Sequence, residues 1–141
     1  CGVSGRWISG GAWETVTIAV VQPNVSLNVK WEPEFRDSTF SLIERLSRIA
    51  GSADPDLIIF PETSAPVYIH HEAGVQDRLE NLARELDIPI YIGFLDARFD
   101  GPDKALNIYN SSGVFMPGGQ LYKYDKTHLL PFGESLPLSW K

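Results

Sequence analysis

Two short stretches of this sequence hold residue types able to move protons or stabilise charge. In "DLIIFPET" (56–63) an apolar run stops at Pro61 and presents Glu62 and Thr63. In "YDKTHLLPFGESLP" (124–137), Asp125, Lys126, His128 and Glu134 are spaced among stiff Pro and Gly positions. A glutamate at the carboxyl end of a buried strand can be partly desolvated, which suits it to proton transfer. A lysine beside a reacting carbonyl can stabilise the oxyanion that develops there. Plainer readings exist for both: a surface-turn carboxylate for Glu62 and a solvated strand-end lysine for Lys126, each the commoner case. Pro131 and Gly133 shape a rigid turn with Glu134 at its tip, a stiffness that suits a carboxylate held near a site.

The remaining candidates are weaker. His128 has no partner at ligand spacing, and His70 and His71 are adjacent in a loop and point differently, so a zinc site is not expected. The three histidines are read as non-catalytic, and neither a metal nor a cofactor is expected. Cys1 is the only cysteine, which rules out an intrachain disulfide. Ahead of "GVSG" its thiol is poorly placed for catalysis. Cys1 is therefore read as incidental, with a lipid-modified N-terminal cysteine as the alternative.

The scaffold must be one domain, because 141 residues suffice for a single core and little more. A formal net charge of −6 argues against a nucleic-acid partner. No apolar run reaches the roughly 18 residues of a membrane span. Residues 1–14, rich in Gly and Ser, read as a flexible tail or linker. "TVTIAVVQ" (15–22) reads as a strand buried on both faces. Residues 33–50 carry Phe35, Leu42, Ile43, Leu46 and Ile49 at helical spacing, with Pro33 in the first turn and Gly51 at the stop. Residues 56–60 read as a strand, 73–87 as a helix through Val75, Leu79, Leu82 and Leu86, and 89–96 as a third strand. "ALNIYNSSGVFM" and "PGGQLYKYDK" read as a hairpin turning at Gly118–Gly119. This order implies an α/β fold, with early parallel pairing and a late antiparallel hairpin.

Taken together, "VTIAVVQPN", "KWEPE", "DLIIFPETSAP", "IYIGFLDAR", "YNSSGVFMPGG" and "YKYDKTHLLPFGESLP" resemble the carbon–nitrogen hydrolase (nitrilase) superfamily across roughly residues 15 to 137. The "PFGE" segment behind "HLL" and the "KW" after the first strand point to its N-acyltransferase branch. The resemblance implies an α-β-β-α sandwich, of which residues 15–141 are the N-terminal part. It implies Glu62 as general base, Lys126 as oxyanion-stabilising group, Glu134 as a supporting carboxylate, and Trp31 near the acyl-binding pocket. An ordinary loop aromatic is an equal alternative for Trp31.

The same resemblance implies a cysteine nucleophile downstream of the PFGE loop, which Cys1 does not match. The chain is thus expected to be a piece of a larger enzyme and inactive alone. The implied reaction moves an acyl chain from a phospholipid, through a thioester, to the α-amino group of a lipoprotein's diacylglyceryl-cysteine. The implied location is the periplasmic side of the bacterial inner membrane, with membrane spans outside these residues. A sandwich lacking strands is expected to expose an apolar sheet edge. Two alternatives remain: a soluble amidase of the same superfamily, and a non-catalytic remnant or interaction module.

Overall fold

The computed structural model describes residues 2–6, 15–25, 33–69, 72, 74–100 and 105–128. Seven strands form one sheet in the order β1-β2-β3-β5-β6-β7, with β4 also paired to β5. They are β1 (Gly2–Arg6), β2 (Thr15–Val20), β3 (Leu57–Ile59), β4 (Ala65–Tyr68), β5 (Ile90–Asp100), β6 (Ala105–Phe115) and β7 (Leu121–Asp125). A 3-10 turn at Pro33–Phe35 leads into α1 (Arg36–Gly51), and α2 (Val75–Leu86) precedes β5. β2, β3 and β5 are parallel, joined through the two helices, whereas β5, β6 and β7 run antiparallel. The mixed α/β class expected from the residues is the one observed.

Both helices cover the same face. Phe40 and Ile43 of α1 and Leu79, Leu82 and Ala83 of α2 are buried with Ile58, Ile90, Ile92, Phe94 and Phe115 of the sheet. Burial of each large side chain contributes roughly 1.5–3 kcal/mol before the ordering entropy is set against it. The α2 stripe matches its periodicity. In α1 the buried stripe is Thr39, Phe40, Ile43 and Ser47, while Phe35 and Ile49 are exposed. The apolar spacing had pointed one position away because it skipped Phe40, the residue that meets the sheet. Arg48 and Glu85 join the helices by two bonds of 2.7 and 2.8 Å.

Three other expectations change. Gly2–Arg6, read as tail, pairs antiparallel with β2, Gly2 opposite Ala19 and Arg6 opposite Thr15. β4 was not anticipated, since Pro66 in "SAPVY" reads as loop. β2 is not buried on both faces: Val16 is 38% and Val20 53% exposed. Among the described residues their face carries no helix. The same uncovered face presents Phe99, Leu106, Ile108, Tyr122 and Tyr124, all exposed. Exposed apolar surface among the described residues therefore lies on a face of the sheet.

Candidate active site

Glu62 owes its position to an interruption in pairing. β3 pairs the start of β5 at Ile58↔Ile90 and Ile59↔Tyr91, and β4 resumes at Ala65↔Phe94. Between them, residues 61–64 leave the ladder as a short protrusion. Both ends are pinned: Phe60 N–H donates to Tyr91 O (2.8 Å) where the protrusion begins, and Ala65 pairs with Phe94 where it ends. Ser64 Oγ closes the turn on Pro61 O at 2.7 Å, and Thr63 takes a left-handed φ of 52°. Gly93 of β5 lies directly under the protrusion, where a Cβ would stand 2.4 Å from Thr63 N and 3.0 Å from Glu62 Cα.

Lys126 follows the last residue of β7, and its N–H donates to Asn110 O at 2.8 Å, extending the β6–β7 ladder by one step. Its Nζ donates to Glu62 Oε1 at 2.9 Å. Asn110 Nδ2 donates to the same oxygen at 2.6 Å. The acceptor is a carboxylate oxygen, so the amide must present its nitrogen there. Two residues 64 positions apart in sequence thus meet across the ends of β3 and β7, joined by a residue of β6. Glu62 is 59% exposed and Lys126 30%. Among the described residues, both donors use Oε1.

The group opens into a cavity of 220 Å³ lined by Tyr91, Gly93, Asn110, Ser112, Tyr124 and Lys126. Strand alternation puts Tyr91, Gly93, Asn110, Ser112 and Tyr124 on the uncovered face. A second cavity, of 140 Å³, meets Glu62 from the end of β2 at Gln22, Pro23 and Asn24. Further along the uncovered face, Tyr68, Ala97, Phe99, Leu106 and Ile108 line an apolar hollow of 280 Å³.

A cluster of charges occupies the opposite, helix-covered face directly behind the site. Asp96 is fully buried and paired with Lys123 and, at 3.2 Å, with Arg98 Nε. Arg98 crosses the Tyr109 ring at 4.0 Å and donates through Nη2 to Asp125 Oδ2 at 2.5 Å. Ser111 Oγ donates to Asp125 Oδ1 at 2.7 Å. Partial burial alone would raise the Asp125 pKa. The bonds from Ser111 and Arg98 and the charges of Lys123 and Arg98 outweigh it and hold the carboxyl below the usual range.

Of the residues singled out in the sequence, Glu62 and Lys126 are brought together. Trp31, Glu134, His70, His71 and Cys1 lie outside the described residues. His128 is exposed. Among the described residues there is no group of three His, Cys, Asp or Glu able to hold a metal. Sequence reading missed Asn110. Its signal was the polar run Asn110-Ser111-Ser112 inside a stretch of strand-forming residues, where side chains alternate between faces.

A parallel sheet core flanked by helices, with a glutamate and a lysine joined across its strand ends, fits a carbon–nitrogen hydrolase domain, and that family matches residues 17–139. The chain belongs to the carbon–nitrogen hydrolase family. Within it, the chain is 38% identical over 124 residues to the apolipoprotein N-acyltransferase of Geobacter metallireducens, covering 86% of this chain and 23% of that protein. It is 30% identical over 124 residues to the apolipoprotein N-acyltransferase of Aquifex aeolicus, covering 88% and 27%. The chain therefore spans about a quarter of the length of these relatives. Among solved structures, the C. elegans NitFhit protein matches with a TM-score of 0.61 at 18% identity, covering 80% of this chain and 28% of that one. An amidase from Nesterenkonia sp. matches with 0.55 at 19% identity, covering 81% and 43%. These two support the fold alone.

Proposed function

We propose that this chain supplies the general base and the oxyanion group of an N-acyltransferase site. The observation that carries the reading is the Lys126–Glu62 bond of 2.9 Å across two strand ends. Glu62 takes the proton of a cysteine thiol through Oε2, the oxygen that no described donor occupies. The thiolate attacks the acyl carbonyl, and the Lys126 ammonium stabilises the tetrahedral oxyanion. Collapse expels the donor's alcohol, which takes the proton back from Glu62, and leaves a thioester. The amine then attacks that carbonyl, gives a proton to Glu62 and displaces the thiolate, so that an amide forms.

By similarity to the named relatives the acceptor is an apolipoprotein amine. The family resemblance makes it the α-amino group of a diacylglyceryl-cysteine, with a phospholipid as donor. The apolar hollow supports a lipid donor: Ile108 lies two residues, about 7 Å, along β6 from Asn110 on the same face. Glu134 supports the site as a second carboxylate, and Trp31 contacts the acyl chain. The place of action is the periplasmic side of a bacterial inner membrane. Among the described residues no helix is long and apolar enough to cross one. The nucleophile comes from sequence beyond these 141 residues, which alone do not turn over.

The test is acyl-thioester formation with a phospholipid in the protein that carries this segment together with its cysteine. Glu62→Gln and Lys126→Met each lower the rate by roughly 10²-fold or more. Near-normal rates in either variant would sink the assigned roles. A stable thioester on the 141-residue chain would overturn its inactivity.

A further inference from the structure

The two faces of β6 and β7 divide the work at the site. Asn110 and Lys126 are joined by the backbone bond and reach Glu62 on the uncovered face. Their immediate neighbours, Ser111 and Asp125, form the adjacent register pair and are joined side chain to side chain on the covered face. We propose that Asp125, clamped by Ser111 and Arg98, is a positioning residue that fixes Lys126 and Asn110 against Glu62. This inference rests on the reading of Lys126 as the oxyanion group.

Asp125 is where an ion-pair chain from β5 meets the end of β7. β7 ends at Asp125, and a terminal strand residue frays unless something holds it. Arg98 supplies the hold from β5, two strands away, passing over Tyr109 of β6. Lys123, 3.5 Å from Asp125 Oδ1, also reaches back to Asp96 on β5. The three strands are thereby tied at the level where Lys126 leaves the sheet. β5 is also the strand on which the Glu62 protrusion rests, through Gly93. Base and lysine are referred to one common strand.

Two readouts test this separately from the acyl-transfer reading. In the 141-residue chain, Asp125→Ala is expected to speed hydrogen exchange at the Lys126 amide by roughly tenfold. The Ile92 and Phe94 amides of β5 are expected to stay near wild type, and Asp125→Asn, which keeps an oxygen for Ser111, falls between. Unchanged exchange at Lys126, or equal acceleration at Phe94 and Lys126, would overturn the proposal. In the protein that carries the cysteine, Asp125→Ala should slow thioester formation per titrated site roughly tenfold, with KM within about twofold. A rise in KM alone would also overturn it. Failure of the unmutated protein to form a thioester sinks the acyl-transfer reading and leaves the exchange result standing.

Discussion

Gly93 lies beneath the peptide that joins Glu62 to Thr63, so close that a methyl group on it would stand 2.4 Å from Thr63 N. The contact is with backbone, which has no rotamer to yield. Gly93→Ala must therefore lift the protrusion off β5, at about 1–3 kcal/mol of stability. Urea unfolding measures the loss. The Lys126–Glu62 distance should lengthen with it, and a variant as stable as wild type would show that the protrusion shifts freely.

Asn110 offers Glu62 a second donor at 2.6 Å. Asn110→Ala removes it, and Asn110→Asp places a carboxylate where the donor stood. Thioester formation should fall roughly 10-fold or more in the first and further in the second, because like charges then face each other. Rapid-quench measurement in the cysteine-bearing protein distinguishes them. An Asp variant more active than the Ala variant would remove Asn110 from the site.

Asp125 makes stability depend on acid. Its folded pKa lies below the unfolded value of about 3.9, so its contribution is full above that value. It is lost as pH falls through the lower folded value. The urea midpoint should drop as pH falls below about 4, and Asp125→Asn should flatten that part of the curve. An unchanged acid slope in the variant would contradict this.

Arg48 and Glu85 make a two-bond contact, and each holds the other charged: the Glu85 pKa lies below its usual value and that of Arg48 above. Their side chains are 48% and 50% exposed, so water and salt screen the pair. Arg48→Ala should cost only about 0.5 kcal/mol, and less in 1 M NaCl. A loss above about 2 kcal/mol would mean that the pair docks the two helices.

What the sequence revealed followed from local repetition. Val75, Leu79 and Leu82 share one helical face whatever surrounds them, and that face is buried. Gly118–Gly119 marks its turn because Gly119 needs a φ of 84°. Whether Val20 is covered depends on what packs over the sheet, and no local pattern contains that. The closeness of Glu62 and Lys126 is set by the registers of β3, β5, β6 and β7, so periodicity alone left both as surface charges. The family resemblance brought them into one site. Asn110 escaped because its importance comes from facing Glu62, whereas Ser111 beside it faces the other way.

The eleven-residue register of β5 with β6 makes the site a matter of parity. Asn110 and Ser111 serve opposite sides of one sheet, and a slip of a single residue would exchange them. The carboxylate would then meet Ser111 or Tyr109, and Asn110 would turn under the helices. The donor to the base and the brace behind it would be lost in one step. An insertion or deletion that preserves the site should therefore fall in the turns between strands, or come in twos.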